Sequence, residues 1–287
     1  MMYFKKYKHT ITQKTNKFVY FNNYSVSYFF SRFGNNLQQI ANGIIYCNFT
    51  KSNFYSPKHQ YIDKFKVINN KLHALFFTFK KYYRFFYFLN SEDFPTKLSN
   101  DFLIKNIQSV FKESISPNIN FLNDMKVDEK MLVIHIRSGD IFKKHKEDYY
   151  QNPLSYYERL INLYEKVLIV TSSDRLNPVC KILGTYKNVE IQSSSFENDF
   201  NTLYNATNLA TSGVGTFPIA AALMSKKLKN IYYTNLYLGE HLNPEMITDN
   251  DVKHHKFKIS ESYKKDYETS KNLNELILDK NYETTKF

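Results

Sequence analysis

The strongest constraint on the fold is a run of alternating short apolar segments and helical segments between residues 131 and 235. Residues 131–136 and 167–171 are apolar stretches of strand length, and a segment of helical character follows each of them. Strands that alternate with helices at this spacing are typical of βαβ units and of a parallel sheet. The pattern therefore predicts an α/β fold.

Turn residues and apolar runs place the boundaries of these elements. The predicted strands cover residues 131–136, 167–171, 189–192, 208–211 and 231–233. The predicted helices cover residues 155–164, 176–183, 199–206, 216–225 and, in a charged tail, 273–278. Pro178 supports the second of these helices, because proline suits a first helical turn.

The composition and the pattern of the sequence change near residue 128. The first part is rich in aromatic residues and irregular in pattern, whereas strands and helices alternate in the second. The length of 287 residues fits one large domain or two modest ones, at about 100–200 residues each. We predict two domains, over residues 1–128 and 129–287.

Composition and missing motifs exclude several classes of protein. With 43% hydrophobic residues the chain is not disordered. Cys47 and Cys180 match no metal-ligand spacing, which excludes a disulfide scaffold and a zinc module, and two unpaired thiols suit a reducing cytosol. The sequence contains neither GKT nor GxGxxG, which argues against a P-loop ATPase and a standard dehydrogenase.

The net charge of +12 has two interpretations. A basic protein can bind an anionic ligand or a membrane surface. An AT-rich genome gives the same excess of Lys, together with Asn, Ile, Tyr and Phe, without any binding role. No basic helix or binding signature appears, so a nucleic-acid partner is not expected.

Residues 72–89 (LHALFFTFKKYYRFFYFL) form the most apolar stretch of the sequence. Its cations exclude an ordinary membrane-spanning helix of about 20 residues. It either lies on a membrane surface or forms a core helix with solvated cations, and the core helix is favoured. The basic N-terminus lacks the unbroken apolar run of a signal peptide. We expect a cytoplasmic location, with peripheral membrane contact left open.

Glycine is scarce, and its positions indicate three candidate sites. The chain has seven glycines, whereas ordinary usage of about 7% predicts roughly twenty. Gly34, Gly139, Gly213 and Gly215 all fall at predicted turns. In open α/β sheets ligands bind at the carboxyl ends of strands, where such turns lie.

The first turn, Arg32-Phe33-Gly34-Asn35-Asn36, precedes a predicted helix over residues 38–46. Asn35 can cap that helix, and Gly34 lies near its N-terminus. In a functional interpretation, Arg32 or one of the two asparagines contacts a polar ligand. Taken alone, the motif is more simply a capped turn.

The second turn, residues 135–140 (HIRSGD), follows a buried strand. His135 and Arg137 share one face of the strand end, and an arginine there can bind phosphate through a forked pair of hydrogen bonds. Gly139 permits a sharp turn. Asp140 either orients the two basic residues or pairs with the arginine structurally. Polar clusters at strand ends are typical of sites, so we favour a functional role.

The third turn, residues 211–218 (TSGVGTFP), connects a short strand to an Ala-rich helix. Backbone N–H groups, the positive end of the helix dipole and hydroxyl donors suit phosphate oxygens. By itself the turn also fits any capped helix start.

Together the three motifs resemble those of the GDP-fucose-using fucosyltransferase superfamily, which includes protein O-fucosyltransferases and α1,6- and α1,2-fucosyltransferases. Residues 32–35 (RFGN) are similar to its N-terminal turn, and residues 135–140 to its HxRxGD motif. Residues 212–217 look like its C-terminal turn. The resemblance covers mostly residues 30–46 and 131–235, less than half of the chain.

The resemblance implies an α/β, GT-B-like fold, with two Rossmann-like halves and a cleft between them. Residues 1–128 would form the acceptor-side domain and residues 129–287 the domain that binds the nucleotide sugar. It also implies inverting, metal-independent transfer of fucose or a related sugar from a GDP-sugar to a glycan or lipid-linked glycan acceptor. Surface polysaccharide or lipopolysaccharide synthesis is the expected process, with no metal and no cofactor.

The resemblance also assigns roles to residues. Arg137 would bind the diphosphate, Asn35 would lie near the reacting sugar, and Asp199 loosely matches an acid that contacts the base. The candidate catalytic residues are Arg137, His135, Asp140 and His145. The candidate donor-binding residues are Arg32, Gly34, Asn35, Gly139, Asp199, Ser212, Gly215, Thr216 and Phe217.

Two features leave the chemistry open. Ser138 stands where many members of the superfamily have a second arginine, and the last turn is richer in glycine than usual, so the donor is not settled. The general base is either in the segment after the second turn, at His145, Glu147 or Asp148, or elsewhere, with that segment an ordinary charged loop. His254 and His255 are expected at the surface. The alternatives are another nucleotide sugar or a non-catalytic glycan- or nucleotide-binding protein of the same fold.

Overall fold

The computed structural model describes residues 23–26, 32–64, 66–67, 81–83, 97–143, 147–270, 272–282 and 284–286. The strands are β1 (Asn23–Val26), β2 (Asn53–Tyr55), β3 (Lys66–Val67), β4 (Lys81–Tyr83), β5 (Leu132–Ile136), β6 (Val167–Thr171), β7 (Val189–Gln192), β8 (Asn208–Ala210), β9 (Asn230–Thr234), β10 (Lys253–Ile259) and β11 (Thr284–Lys286). The helices are α1 (Phe33–Phe49), α2 (Asn100–Ser109), α3 (Asp140–Lys143), α4 (Leu154–Ile161), α5 (Pro178–Leu183), α6 (Phe196–Tyr204), α7 (Thr216–Met224), α8 (Glu261–Thr269) and α9 (Leu273–Leu278). A π-helix (Val110–Ile115) continues α2, and short 3-10 turns cover Ser116–Asn118 and Pro244–Met246.

The main sheet has seven strands in the order β11-β10-β9-β8-β5-β6-β7. All neighbouring strands are parallel except β11, which runs antiparallel to β10. This confirms the predicted α/β class. The chain passes outward from β5 to β6 and β7 and then returns to β8 on the other side of β5. The carboxyl ends of β5 and β8 therefore flank a topological switch point, where such sheets bind ligands.

Strand β5 explains why the sheet lies inside the molecule. Leu132, Ile134 and Ile136 pack in one buried cluster, and Val133 packs in another on the opposite face. A parallel strand that is covered on both faces needs apolar residues at successive positions, which is the pattern of this segment. Helices α1, α6 and α7 cover one face, and α4, α5, α8 and α9 cover the other.

The first part of the chain forms a second, four-stranded sheet in the order β3-β2-β1-β4. Strand β1 is parallel to β2 and β4, whereas β3 is antiparallel to β2. Helix α1 packs against this sheet at Gly43, where an added Cβ would lie 2.3 Å from the Phe54 ring. The same helix shares a core with α7, so apolar packing is continuous across residue 128. The division into domains at that residue stays a prediction.

The predicted elements of the main sheet agree closely with the structure. Strands β6 and β7 and helix α9 have the predicted bounds, and Asn177 caps α5 by accepting a hydrogen bond from the Val179 N–H at 3.1 Å. Helix α6 begins at residue 196 rather than 199, because the Ser195 hydroxyl group caps it. Local apolar runs were therefore sufficient for most of this region.

Two predictions were wrong, and one strand was missed. Helix α1 begins five residues before the predicted start, with Arg32 at the N-cap position, so Asn35 does not cap it. The charged tail contains strand β10, whose buried residues alternate with lysines and so hide the apolar pattern. Lys81–Tyr83 is a strand rather than part of a core helix, and the remainder of residues 72–89 lies outside the described residues. In the ranges given above, no helix has the length and apolarity needed to cross a membrane.

Candidate functional site

A cavity of about 750 Å³ opens at the carboxyl ends of β5, β6 and β8. It therefore lies at the switch point of the sheet. Its walls are residues 32–36, residues 59–61 and the ends or turns that follow β5, β6 and β8, together with Tyr149, Ser194, Phe196, Asp199 and His241. The three sequence turns that were predicted as sites meet in this one cavity.

Two helix N-termini meet at the cavity. A Cβ added at Gly34 would lie 2.6 Å from Thr216 Oγ1 and 2.8 Å from the Phe217 backbone nitrogen. Glycine at this position is therefore what lets the start of α1 touch the start of α7. The Thr216 hydroxyl group donates to Asn35 Oδ1 at 2.7 Å and joins the two ends. Each helix N-terminus carries a partial positive charge, so the pair favours an anion.

Two arginines share one carboxylate beside these helix ends. Asp140 Oδ1 lies 3.0 Å from Arg32 Nη2 and 3.6 Å from Arg137 Nη2. Arg137 also donates to the Val214 carbonyl at 3.3 Å, and its guanidinium lies 5.1 Å from the centre of the Tyr149 ring. The side chain of Arg32 is 63% exposed and that of Arg137 only 15%. Arg137 is therefore the cation that the fold buries.

The Nε–H group of Arg137 is buried and has no hydrogen-bond partner among the described residues. Burial lowers the pKa of Arg137, Asp140 opposes that effect, and the neighbouring Arg32 lowers it further. Buried polar groups are normally paired, and a buried cation is costly unless an anion compensates it. This part of the cavity is therefore suited to an oxyanion such as phosphate.

His135 lies beside Arg137 with its Nδ1 atom 3.3 Å from Ser212 Oγ and its ring 5.7 Å from the Phe217 ring. Burial, aided by the charge of Arg137, lowers the pKa of His135 to about 3. The imidazole is therefore neutral at physiological pH. Ser212 is fully buried behind the cavity wall and holds His135, whereas Thr216 and Phe217 face the cavity.

The turn after β5 is tied to the turn after β6 by Ser138. Its hydroxyl group donates to Asp174 Oδ1 at 2.7 Å and accepts from the Asn177 N–H at 3.0 Å. Gly139 has a φ of +82°, and an added Cβ would lie 3.2 Å from the other Asp174 oxygen. Gly139 thus shapes the turn without lining the cavity. Ser138 is therefore part of the scaffold that links the two turns.

The two glycines of the last turn, Gly213 and Gly215, have different surroundings. An added Cβ at Gly213 would lie 2.5 Å from the Tyr150 carbonyl oxygen, and the following Val214 N–H donates to that oxygen at 3.0 Å. Gly215 lines the cavity and has extended backbone, with no atom within 4 Å of an added Cβ. The first glycine permits close backbone packing, and the second keeps the entrance to α7 unobstructed.

Aromatic rings form another part of the wall. Tyr61 stacks on Phe196 with ring centres 4.6 Å apart, and Phe217 packs 5.5 Å from Phe196. Asp199 lies in the same wall on α6, where its Oδ1 atom accepts hydrogen bonds from Gln192 at 2.8 Å and from the Ser194 hydroxyl group at 2.8 Å. A flat apolar surface beside a carboxylate is suited to a nucleobase.

Several wall residues were missed from the sequence. Ser172 and Ser173 directly follow β6, and the rule that ligands bind at carboxyl ends of strands is a signal that identifies them. His59 and Tyr61 come from a loop in the irregular first part, where no pattern marks them. His241 comes from the long connection after β9 and has no local signal either.

The remaining predicted residues have different outcomes. His145 lies outside the described residues, and Glu147 and Asp148 are exposed and do not line the cavity. The prediction that His254 and His255 lie at the surface was wrong. His255 belongs to β10 inside the sheet and is 8% exposed. Its ring stacks on the Tyr232 ring at 4.4 Å, and its Nε2 atom lies 2.9 Å from the Asn230 side chain of β9.

Within the described ranges, no three His, Cys, Asp or Glu side chains come together as a metal-binding group. No protein-family model, curated protein or solved structure matches the chain. The fold and the site define an α/β protein whose switch-point cavity combines a buried arginine, two helix N-termini and an aromatic wall.

Proposed function

We propose that the protein is an inverting glycosyltransferase that binds a nucleoside-diphosphate sugar in this cavity and transfers the sugar to a glycan acceptor without a metal ion. The observation that carries the proposal is the buried guanidinium of Arg137, whose Nε–H group is unpaired beside the start of α7. A GDP-sugar, with fucose or a related sugar, is the proposed donor. The choice of guanine and of fucose rests on the resemblance of the three motifs.

The charges around the cavity fit a diphosphate group. Arg137 supplies a buried cation, Arg32 an exposed one, and α1 and α7 supply two positive helix ends. Charge-assisted hydrogen bonds of this kind are roughly twice as strong as neutral ones. A diphosphate can replace Asp140 as the partner of both guanidinium groups, since that carboxylate is itself half-exposed.

The aromatic wall fits the nucleoside. Phe196 and Phe217 offer ring faces and edges for a base, and Asp199 offers a carboxylate that can accept hydrogen bonds from a guanine ring. The resemblance places the base-contacting acid near this position as well. We therefore assign this wall to the base and the arginine side to the phosphates.

The same cavity suggests the finer architecture. Its walls come from both parts of the chain, with residues 32–36 and 59–61 from the first and the turns of the main sheet from the second. We propose that the four-stranded sheet belongs to a second Rossmann-like half, which would make the fold GT-B-like. In that arrangement residues 1–128 hold the acceptor and residues 129–287 hold the donor.

The proposed reaction needs charge stabilisation at the leaving group. As the acceptor oxygen attacks the anomeric carbon, the bond from that carbon to the phosphate oxygen breaks and negative charge develops on the departing diphosphate. Arg137 and the N–H groups at the start of α7 oppose that charge. Preorganised donors of this type contribute about 2.7–4 kcal/mol each in well-studied sites. Asn35, held by Thr216, lies where it can contact the sugar.

The acceptor rests on the resemblance, which supports a glycan or lipid-linked glycan in surface polysaccharide or lipopolysaccharide synthesis. The small number of cysteines supports a cytoplasmic location. The basic, aromatic sequence adds the option of peripheral contact with a membrane.

Calorimetric titration with GDP, UDP, CDP and ADP tests the proposal. We expect saturable GDP binding to the wild-type protein and a loss of at least tenfold in affinity for Arg137→Ala. Arg175→Ala is the matched control, because Arg175 is an exposed arginine outside the cavity wall. A preference for another nucleotide that also depends on Arg137 would discard the fucose assignment. Absence of any nucleotide binding would overturn the proposal, and binding without transfer would favour a non-catalytic protein.

A further inference from the structure

The connection after β9 carries His241 into the cavity wall, where the buried side chain of Gln38 bonds to the backbone on both sides of it. Gln38 on α1 donates from Nε2 to the Glu240 carbonyl at 2.8 Å and accepts from the Leu242 N–H at 3.3 Å. These two groups belong to the peptide bonds on either side of His241. One buried amide therefore fixes the backbone of His241 relative to α1, although 202 residues separate Gln38 from Glu240.

The backbone of His241 also makes hydrogen bonds within its own loop. Its N–H group donates to the Leu238 carbonyl at 3.1 Å, and its carbonyl accepts from Asn243 Nδ2 at 3.0 Å. The imidazole packs edge to face on Tyr149 with ring centres 6.3 Å apart, and the same Tyr149 ring contacts the guanidinium of Arg137. The imidazole is thus positioned one ring away from the proposed diphosphate site.

The charges around His241 suit a group that accepts a proton. Burial lowers the pKa of His241, the negative charge of Glu240 opposes that shift, Arg137 lowers the pKa further and Asp148 raises it. The imidazole is therefore neutral at pH 7, and two carboxylates stabilise the imidazolium once it forms. A neutral imidazole with this support is a suitable general base.

The other titratable groups of the wall are less suited to that role. His59 Nδ1 accepts a hydrogen bond from the Tyr61 N–H at 3.2 Å, so the neutral ring carries its proton on Nε2. The nitrogen that could take a proton is therefore already occupied by this bond. His135 adjoins the charge of Arg137, which opposes a second positive charge. Asp140 lies beside the two guanidinium groups that are proposed to hold the diphosphate, so it faces the leaving group rather than the acceptor.

We propose that His241 is the base that takes the proton from the acceptor hydroxyl group. The role rests on the glycosyltransferase function proposed above. In the step, the bond between the acceptor oxygen and the anomeric carbon forms while the bond from that carbon to the phosphate oxygen breaks. The hydroxyl proton passes to the imidazole, and the electron pair of the broken bond leaves with the diphosphate. Gln38 is the positioning residue for this base.

Hydrolysis of GDP-fucose, with water in the place of the acceptor, tests the proposal without knowledge of the glycan. We expect His241→Gln to bind GDP within about twofold of wild type and to hydrolyse the donor roughly 10²–10⁴-fold more slowly. The wild-type rate should rise with pH through the pKa of His241, which Glu240, Asp148, Arg137 and Tyr149 surround, and the variant should lack this rise.

His254→Gln is the matched control, because His254 is a half-buried histidine outside the cavity wall, bonded to Tyr233 and the Ile247 carbonyl. It should hydrolyse the donor at the wild-type rate. If His241→Gln binds GDP and hydrolyses the donor at the wild-type rate with an unchanged pH profile, the assignment of the base is overturned. Failure of the wild-type protein to bind any nucleotide would instead overturn the proposed function.

A second measurement decides the question even if wild-type hydrolysis is too slow to follow. Nuclear magnetic resonance titration of the histidine side chains gives the pKa of His241 with and without GDP. We expect GDP to raise that pKa, because the diphosphate compensates the charge of Arg137 and adds negative charge nearby. An unchanged pKa in the GDP complex would place His241 away from the diphosphate and overturn the proposal.

Discussion

Two parts of the cavity wall are held in place by different means. The turns after β5 and β8 are continuous with buried strands, and their residues are positioned by neighbours along the chain or on the next strand, as Ser212 positions His135. The segments at Arg32, residues 59–61 and His241 depend on contacts that are distant in sequence, such as the bonds from Gln38 to the loop at Glu240. The turns carry Arg137 and the start of α7, and the segments held across the molecule carry Arg32 and the proposed base.

The comparison teaches where variation is tolerated. A turn at the end of a buried strand inherits its position from the whole sheet, so only a change within the turn disturbs it. A wall segment that is held across the molecule is lost when either end of the contact changes. Binding of the nucleotide and transfer of the sugar should therefore respond to different sets of substitutions.

The largest effect is expected where the two parts touch. Gly34→Ala places a Cβ within 2.8 Å of backbone atoms of Thr216 and Phe217, which must separate the starts of α1 and α7. We expect a loss of about 3 kcal/mol in the free energy of unfolding, the upper end for overpacking, and loss of nucleotide binding. Urea denaturation and calorimetry measure both. Gly239→Ala is the control, since an added Cβ there meets no atom within 4 Å and Gly239 lies outside the cavity wall.

A smaller effect is expected at the scaffold of the phosphate side. Ser138→Ala removes a hydroxyl group that bonds Asp174 and the Asn177 N–H, and it leaves the buried N–H unpaired. We expect a loss of about 2 kcal/mol in the free energy of unfolding, within the range for an unsatisfied buried donor. Nucleotide affinity should fall with it. An equally stable variant with wild-type affinity would show that the turn holds its shape without this link.

The positioning residue should separate transfer from binding. Gln38→Ala removes both hydrogen bonds to the His241 loop, and we expect a cost of about 1–2 kcal/mol in stability, since each net hydrogen bond contributes roughly 0.5–1.5 kcal/mol. Donor hydrolysis should fall while GDP affinity stays near wild type. Gln38→Glu keeps an acceptor for the Leu242 N–H but sets a second oxygen against the Glu240 carbonyl, so it should not restore the activity. A parallel loss of GDP affinity would contradict the separation of the two parts.

The smallest effect concerns pH. The pKa of His135 in the fold is about 3, below its unfolded value near 6.5, so the unfolded chain binds more protons as the pH falls through 6.5. Its contribution to stability is complete above pH 6.5 and is lost progressively below it. We expect a loss of about 1 kcal/mol per pH unit between pH 6 and 5, near the limit for one titrating group. Urea denaturation over this pH range gives the free energy of unfolding of wild type and of His135→Gln. That free energy should fall less steeply with decreasing pH in the variant.

Much of the main sheet was predictable because its strands are buried on both faces. Such a strand must be apolar at successive positions, so residues 167–171 were assigned with their observed bounds. Strand β7 lies at the edge of the sheet, and its alternation of Val189 and Ile191 with polar residues indicated a strand instead. Strand β10 was missed because its lysines alternate with buried residues, and only its position beside β9 reveals it. Helix α1 was placed too late, because its N-cap residue Arg32 makes no side-chain cap bond.

The candidate site was predictable to the same extent. Arg137 and Thr216 were identified because they lie in turns at strand ends, and strand order brings those turns together. Asn35 was identified as a residue that caps a helix or contacts the ligand, but the bond it makes to Thr216 was not predicted. His59, Tyr61 and His241 carry no local signal, because their positions depend on a loop of the first half and on an interaction with α1.

The sequence by itself determined the α/β class, most strands and helices of the main sheet, and the turns that line the cavity at the strand ends. Each of these features depends on residues that are close together in the chain, because the apolar pattern of a short segment shows which of its faces are buried. Only the tertiary structure decided which turns share a cavity, that Gly34 lets α1 and α7 touch, and that His241 completes the wall. Those features arise from contacts between segments far apart in the chain, and their energy depends on geometry that exists only after the sheet and helices have packed.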